Sequence, residues 1–134
     1  ESTLAVVQAV AASGAVAFEH DVIPGVSSVH ALTARHRIAL NRVGRAVQIL
    51  PGRLLAGGMP TGVDDVVVML DAHAAFASIP ADGIDIYWGA YLGTPDEILR
   101  SGPLADIAAE IVRVRAEAKA RKGWMFDTYL LRRR

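Results

Sequence analysis

Apolar residues recur along this chain with two spacings, helical and strand-like, which alternate from segment to segment. Helical spacing fills three segments, at 2–13, about 27–37 and 103 to about 121. Runs with strand-like alternation or continuous β-branched residues fill five others, at 15–23, 46–50, 64–70, 84–91 and 124–131. A helical turn at 53–55 and a short helix at 71–76 complete the pattern. Strands that alternate with helices predict an α/β fold, a mixed sheet with flanking helices whose last strand is free to run antiparallel.

The segment from 22 to 32 organises the rest of this prediction. Pro24-Gly25 is a turn signal, and either Ser27 or Ser28 could cap the helix that follows. Ligands bind to open α/β sheets at the carboxyl ends of the strands, which is where this loop is expected. An ordinary strand-turn-helix connection has the same residues, so local chemistry alone leaves both interpretations open and favours the ordinary one.

A second unusual stretch runs from Tyr87 to Thr94. Its aromatic residues crowd the end of a predicted strand, and Gly89 and Gly93 allow a close approach to the backbone. The aromatic rings could flank a planar ligand or simply pack on the sheet. A binding role for both stretches requires that this bend and the 22–28 turn open onto one common hollow.

Composition narrows the function classes. The 134 residues fit a single domain at 1–134, and Lys+Arg 14 against Asp+Glu 14 leaves no basic surface for nucleic acid. The absence of cysteine excludes disulfides and thiolate chemistry, and it suits a cytoplasmic protein. No apolar run is long enough for a membrane span, so no membrane partner is expected. The helical pattern starts at once after Glu1, which indicates a piece of a longer protein.

Several groups of reactive residues have simpler explanations. Asp64 and Asp65 are neighbours in a strand and point to opposite faces, so we interpret them as a solvated strand entrance and not as a metal pair. The segment from Thr94 to Glu97 matches a helix capping box with proline at the first helical position. The four histidines lack the spacing of metal ligands, and the glycine-rich loop at 57–62 lacks the lysine of a phosphate loop. No metal site and no Ser-His-Asp triad are therefore predicted.

Three sequence runs, taken together, resemble the tetrapyrrole methylases. Val22-Ile23-Pro24-Gly25-Val26-Ser27-Ser28 is similar to the strand-loop of their second lobe, and Val66-Val67-Val68-Met69 to the strand that ends in methionine. The segment at 93–104 is similar to the one that combines a threonine, a polar pair and Gly-x-Leu. Longer runs at 18–42, 62–71, 86–97 and 124–131 resemble one branch of this family in particular.

The resemblance implies the C-terminal lobe of a two-lobed S-adenosylmethionine-dependent C-methyltransferase of cobalamin biosynthesis. The resemblance to this branch further implies methylation of the tetrapyrrole precorrin-5 with release of acetate, and a homodimer. The first-lobe glycine-rich loop and Gly-Asp-Pro motif are absent here, so the resemblance implies that this piece is inactive without the N-terminal lobe. The cofactor, S-adenosyl-L-methionine (product S-adenosyl-L-homocysteine), is expected to contact nine residues: Ser27, Ser28, Met69, Ala90, Tyr91, Gly93, Thr94, Gly123 and Trp124.

The catalytic residues are not identified by the resemblance. His20, His30 and Arg35 lie nearest the motif in sequence and are weak candidates for the base that assists acetate release. Three other functions compete: another C-methyltransferase of the same family, a non-catalytic α/β binding or interaction module, and a nicotinamide-binding domain. The last is disfavoured because its glycine fingerprint is missing.

Overall fold

The computed structural model describes residues 2–134, and the predicted α/β class is confirmed. Its helices are α1 (Ser2–Ser13), α2 (Ser28–His36) and α3 (Leu104–Lys122), with 3₁₀ turns at Gly52–Leu54 and Ala75–Ser78. Its strands are β1 (Val47–Pro51), β2 (Asp65–Met69), β3 (Ile84–Ala90), β4 (Ile98–Pro103) and β5 (Asp127–Arg133). The sheet is mixed and has flanking helices, as the alternating pattern predicts.

The five strands are ordered β1-β2-β5-β3-β4. The β1–β2 pair is parallel, and every other pair is antiparallel. It follows that β1, β2 and β3 run in one direction and end at one edge, where β4 and β5 begin. Ala90 pairs with Asp127 there and Met69 with Thr128, and we call this side of the sheet the carboxyl edge.

The core lies on both faces of the sheet. Val66 and Val68 pack in the larger cluster together with α3, whereas Val67 packs in the smaller one with Val29 and Leu32 of α2. Successive strand residues point to opposite faces, which explains the division. All three valines of β2 are 0% exposed, so the prediction of a strand buried on both faces is confirmed.

Both sheet-covering helices form where their apolar spacing predicts. Leu104, Ile111, Val114 and Ala118 form the buried stripe of α3, and Gly123 ends that helix in the left-handed conformation. The first helical residue of α2 follows Ser27, whose hydroxyl accepts a hydrogen bond from the His30 amide at 3.4 Å. Of the two candidate serines, Ser27 is therefore the cap.

The predicted strand at 15–23 is wrong for this chain. Residues 15–27, which we call the extended segment because of their strand-like sequence, form no helix or strand, and all of them are exposed. Phe18 is 40% exposed, Val22 64% and Ile23 84%. The local sequence favours an extended backbone, but a strand requires a neighbour to complete its hydrogen bonds, and nothing in residues 2–134 supplies one.

The predicted capping box at 94–97 is also wrong. No helix follows it; the segment is the turn between β3 and the antiparallel β4, a strand missing from the prediction. The Thr94 hydroxyl donates to the Tyr91 carbonyl at 2.8 Å and accepts from the Asp96 amide at 3.2 Å. The same residue types that cap a helix also close a turn, and here the antiparallel pairing decides between the two.

Three smaller predictions also change. Asp65 is not solvated: it is 0% exposed and forms ion pairs with Arg132 at 2.6 Å and Arg42 at 3.3 Å. The short helix at 71–76 is replaced by a loop followed by the 3₁₀ turn at 75–78, because the Asp71 carboxylate accepts from the amides of His73 and Ala75. The last strand begins three residues later than predicted, at Asp127.

Candidate functional site at the carboxyl edge

A hollow of about 200 Å³ opens at the carboxyl edge, where three segments distant in sequence meet. We call it the serine hollow. The start of α2 supplies Val26, Ser27, Ser28 and Ala31; the bend after β3 supplies Tyr91, Leu92 and Thr94; the connection from α3 to β5 supplies Trp124 and Phe126. The geometric requirement set by the sequence is met, because the 22–28 turn and the aromatic bend line one hollow.

The two serines are held by different elements. Ser28 is half-buried, and its hydroxyl oxygen accepts a hydrogen bond from the Thr128 hydroxyl of β5 at 3.2 Å. Ser27 is exposed, and its hydroxyl lies 3.1 Å from Nδ1 of His30. A serine hydroxyl has one donor and two acceptor sites. Because Ser28 accepts in this contact, the contact does not use its hydroxyl donor.

Tyr91 fixes the shape of the hollow. Its φ of +50° is uncommon for a residue with a side chain and costs about 1–3 kcal/mol. Its amide donates to the Phe126 carbonyl at 2.9 Å, and its hydroxyl donates to the Trp124 carbonyl at 2.7 Å. The Tyr91 and Trp124 rings meet edge to face, with centroids 4.9 Å apart. The buried tyrosine thus ties the 124–126 connection to the end of β3.

An ion pair closes one side of the turn next to this hollow. Arg35 of α2 donates to the Glu97 carboxylate at 2.6 Å, and the Gly93 amide donates to the same carboxylate at 2.9 Å. The Gly93 N–H, and secondarily the Arg35 guanidinium, hold the pKa of Glu97 below its ordinary value. The Arg35–Glu97 ion pair therefore holds the turn against α2 at every pH at which Glu97 is ionised.

The nine predicted cofactor residues separate into two groups. Ser27, Ser28, Tyr91, Thr94 and Trp124 line the serine hollow; Met69, Ala90, Gly93 and Gly123 do not. Met69 packs with α2 beneath the edge, and Ala90 is 0% exposed. The amides of Gly93 and Gly123 are already bonded to Glu97 and to the Lys119 carbonyl. These four residues form the support of the hollow.

The weak candidates for a base also differ in position. His30 lies beside Ser27 at the serine hollow. Arg35 is engaged by Glu97, and His20 is an exposed residue of the extended segment, with its ring 6.0 Å from that of Phe18. Among the three, only His30 reaches a residue that lines the serine hollow.

A second and larger hollow, of about 310 Å³, was missed by the sequence analysis. We call it the arginine hollow. It is lined by Leu70, Asp71 and Ala72 after β2, Arg115 and Lys119 of α3, and Met125, Phe126 and Asp127. Phe126 lines both hollows, so they are neighbours along the carboxyl edge. A signal was present in the sequence: Arg115 interrupts the apolar side of α3, four residues after the buried Ile111.

Leu70 gives the arginine hollow a feature in common with its neighbour. Like Tyr91, it directly follows a strand of the carboxyl edge, and its φ is +53°. Its side chain is 75% exposed. Left-handed backbone at residues other than glycine is uncommon and collects at functional sites. Its occurrence at the ends of β2 and β3 alike favours a functional assignment of this edge.

Two kinds of feature are absent from the described residues: a cluster of metal ligands and a membrane-spanning helix. Within residues 2–134, no group of three or more histidine or acidic side chains is arranged to hold a metal ion. No helix in that part of the chain combines the length and the apolar character needed to cross a bilayer.

Comparison with known proteins gives relatives that are longer than this chain. No family model matches. Precorrin-6A synthase [deacetylating] from Sinorhizobium sp is 49% identical over 133 residues, which are 99% of this chain and 51% of that protein. The crystal structure of a cobalamin synthesis related protein (CobF) from Corynebacterium diphtheriae superposes with a TM-score of 0.92 at 34% identity. This match covers 99% of our chain and 56% of theirs.

A more distant structure shares the fold alone. Uroporphyrin-III-C-methyltransferase from Thermus thermophilus matches with a TM-score of 0.60 at 21% identity, over 95% of this chain and 52% of that one. Another structure of that enzyme is complexed with S-adenosylhomocysteine. The chain thus spans about half the length of the relatives that it matches. The resemblance to the tetrapyrrole methylases is confirmed: the chain has the fold of one half of these enzymes and is similar in sequence to half of precorrin-6A synthase.

Proposed function

We propose that this chain is half of a precorrin-6A synthase (deacetylating), an S-adenosylmethionine-dependent C-methyltransferase of cobalamin biosynthesis. The intact enzyme, meaning the chain together with a preceding N-terminal lobe, methylates precorrin-5 and releases acetate. The chain contributes part of the cleft for the cofactor and the tetrapyrrole. The proposal is supported by 49% identity over nearly the whole chain. The observation that carries it is the serine hollow, in which two sequence motifs about 60 residues apart meet at the carboxyl edge.

The residues of the serine hollow suit one part of the proposed cofactor. Trp124 is 53% exposed and Phe126 50%, and such rings favour both planar groups and cations. Ser28 offers a hydroxyl donor beside them. The hollow, at about 200 Å³, is smaller than the roughly 300–1,000 Å³ of sites that enclose a whole small molecule. A second lobe that closes over this edge supplies the remaining contacts.

The mechanism requires positioning more than acid-base chemistry. The bound cofactor supplies an activated methyl group on a sulfonium, and the electron-rich macrocycle is the nucleophile. The chain's task is then to hold two molecules in line, a contribution that can reach about 7–11 kcal/mol. Tyr91 prearranges the walls of the hollow, and the Ser28 hydroxyl orients a polar group within it. This explains why the chain needs no catalytic triad.

Acetate release requires a water molecule to attack the acetyl carbonyl carbon; the bond from that carbon to the macrocycle then breaks, and the macrocycle keeps the electron pair and takes up a proton. A general base that accepts the proton of the water would assist the attack. His30 is our candidate, because its ring lies 3.1 Å from the hydroxyl of Ser27, which lines the serine hollow. His30→Gln in the intact enzyme should slow acetate formation more than methyl transfer. An equal loss in both steps, or in neither, would remove His30 from this role.

The cofactor assignment is tested by titrating the intact enzyme with S-adenosylhomocysteine by calorimetry. Ser28→Ala should weaken binding about tenfold, the value of one hydrogen bond of about 1–1.5 kcal/mol. Ser27→Ala, in the hollow, and Met69→Ala, beneath the hollow, should also weaken S-adenosylhomocysteine binding. Ser101→Ala, an exposed serine in β4, is the matched control. No binding by the wild type would reject the proposed function, and unchanged affinity in the first three variants would reject the site.

The non-catalytic binding module is the competing function. It predicts no hollow at the carboxyl ends of the strands and no role for the exposed Trp124 and Phe126. The same titration separates the two functions, because such a module would not bind S-adenosylhomocysteine.

The partner we propose for residues 2–26 is the N-terminal lobe of the same enzyme. In α1 every side chain from residue 3 to 13 is exposed except Val7, which is half-buried. A 12-residue helix is marginal in water without packing. In the extended segment, Val16, Phe18 and Val22 alternate as in a strand and are 40–64% exposed. Joined to a sheet of the other lobe, this segment would become the strand that its sequence predicts.

This partner assignment can be tested by expressing the two lobes as separate chains. Phe18→Asp combined with Val22→Asp should abolish their association by gel filtration. Val43→Asp, at a fully exposed residue in the connection before β1, should leave association intact. Equal association in both variants would contradict the assignment.

We further propose that the intact enzyme is a cytoplasmic homodimer. Support comes from the absence of cysteine, which suits a reducing compartment, and from the family resemblance. Light scattering of the intact enzyme should give twice its monomer mass, and a monomer mass at micromolar concentration would exclude the dimer.

A further inference from the structure

The arginine hollow is held together by one side chain. Arg115 is mostly buried, with 12% of its side chain exposed, and its guanidinium reaches three acceptors. Nε donates to the Asp127 carboxylate at 2.9 Å, Nη1 to the Ala72 carbonyl at 3.4 Å, and Nη2 to the Asp71 carbonyl. Because these acceptors lie in the loop after β2 and at Asp127, where β5 begins directly after the 123–126 connection, Arg115 holds both connections against α3.

Both connected segments lack regular structure of their own. Residues 70–74 and 123–126 belong to no helix or strand. The Asp71 carboxylate orders the first by accepting from the amides of His73 and Ala75 and from the Tyr129 hydroxyl at 2.6 Å. The carbonyls of residues 71 and 72 point the other way, to Arg115. The left-handed Leu70 directly precedes this fastened pair.

The second segment is fastened through Asp127. Its Oδ2 accepts from Arg115 and also from the indole N–H of Trp88 at 2.8 Å. Trp88 is 0% exposed in the centre of the sheet, so the carboxylate cannot shift without breaking a buried hydrogen bond. Phe126, which separates the two hollows, is the residue directly before Asp127.

We propose that Arg115 is a positioning residue for cofactor binding: it fixes the two segments that line the arginine hollow, so that the cofactor finds a preformed surface there. This inference rests on the proposed function, because it assumes that the cofactor lies along the carboxyl edge. The geometry suits arginine alone, since a planar fork of five donors serves three diverging acceptors and an ammonium group does not.

The test uses Arg115→Lys in the intact enzyme, which keeps the charge and loses the fork. The dissociation constant for S-adenosylhomocysteine should rise about tenfold or more, as expected when a supporting contact is lost. The KM for S-adenosylmethionine should rise by a similar factor, while kcat and the KM for precorrin-5 stay unchanged. A role in folding alone would lower kcat through the active fraction and leave the first KM unchanged. Arg113→Lys, whose partner Glu117 is on the same exposed face of α3, is the matched control.

A second readout needs no ligand. Hydrogen exchange in Arg115→Lys should be faster at the amides of residues 70–75 and 125–127 than in the wild type, and unchanged at 27–31. Asp127→Asn should give the same exchange and binding pattern, and it replaces Arg115→Lys if that variant does not fold. A wild type that fails to bind S-adenosylhomocysteine overturns the proposed function and this inference with it. A wild type that binds, with affinity and exchange unchanged in Arg115→Lys or Asp127→Asn, overturns this inference alone.

Discussion

The two edges of the sheet differ in the surroundings of their charged groups and in the backbone conformation of the residues next to the strands. At the edge where β2 and β3 begin, carboxylates meet arginines: Asp65 pairs with Arg42 and Arg132, and Asp85 with Arg134 at 3.5 Å. At the carboxyl edge, the buried Arg115–Asp127 pair lies beside two hollows and half-exposed aromatic rings. Leu70 and Tyr91, directly after β2 and β3, have left-handed backbone outside any helix cap, unlike the cap residues Arg37 and Ala74.

This difference separates stability from function. The ion pairs at the first edge close polar groups off from solvent, so substitutions there should change folding. The carboxyl edge retains strain and exposed apolar area that folding alone does not require. Its substitutions should change ligand affinity more than they change stability. The predictions below test this division, beginning with the largest expected effect.

Asp65→Ala should lower the free energy of unfolding by about 3–5 kcal/mol, because it leaves the mostly buried Arg132 without its carboxylate. The measurement is urea denaturation followed by circular dichroism. Asp82→Ala, in the exposed turn before β3, is the control and should change stability by about 0.5 kcal/mol or less. Equal effects would mean that the first edge is not the stabilising one.

Gly89→Ala tests the carboxyl edge, where we expect a substitution to change ligand affinity. A Cβ at this position would lie 2.7 Å from Cδ2 of Leu92 and 3.0 Å from Cδ1 of Leu32. Overpacking of this kind costs about 1–3 kcal/mol. Because Leu92 lines the serine hollow and the nearest clashing atom is the end of its side chain, we expect it to shift into the hollow and to weaken S-adenosylhomocysteine binding.

Gly57→Ala is the matched control, since nothing lies within 4 Å of the added Cβ. It should be neutral in both stability and affinity. A stability loss in Gly89→Ala with unchanged affinity would contradict the placement of Leu92 in the site.

How far the sequence predicts this structure depends on whether the deciding contact is local. The helical spacing of α3 and the apolar run of β2 were sufficient to predict these two elements, because each pattern reports the burial of its own residues. The 15–23 strand failed since no strand of residues 2–134 pairs with it, and β4 was missed because Arg100, Ser101 and Gly102 weaken its pattern. The burial of Asp65 could not be foreseen, because Arg132 lies 67 residues away.

The same distinction between local and distant contacts applies to the two hollows. The motifs located the serine hollow because its turn and its aromatic bend are both recognisable sequences. The arginine hollow depends on Arg115 reaching Asp71 and Asp127 through space, and a single arginine on an apolar helix side signals a buried contact without naming its partner.

The link between the two edges is α2, and its last residue should make stability depend on pH. His36 donates from Nε2 to the Trp88 carbonyl at 3.0 Å, and burial lowers its pKa below the ordinary value of 6.5. The unfolded chain then binds the proton more readily. Stability from the neutral imidazole is therefore fully present above pH 6.5 and decreases as the pH falls from 6.5 toward the folded-state pKa.

This effect is measured by urea denaturation between pH 5 and 8. His36→Gln retains a hydrogen-bond donor and should flatten the profile in this range. A wild type that becomes more stable as the pH falls from 6.5, or a variant with the same slope, would contradict the account.

The smallest effect is expected at the exposed part of the first edge. Arg45→Ala removes a 3.5 Å ion pair with Asp64, and Arg45 is 65% exposed. Such pairs contribute about 0.2–1 kcal/mol and are screened by salt. The loss should be measurable at low ionic strength and absent in 1 M salt; a loss of several kcal/mol would place this pair in the buried network instead.

The most direct test of the cofactor site is hydrogen exchange of the intact enzyme with and without S-adenosylhomocysteine. With S-adenosylhomocysteine bound, we expect slower amide exchange at 26–31, 91–94 and 124–127, all at the carboxyl edge. We expect no change at 64–66 and 131–134. Protection confined to the opposite edge, or none at either edge despite binding, would contradict the assignment of this edge to the cofactor.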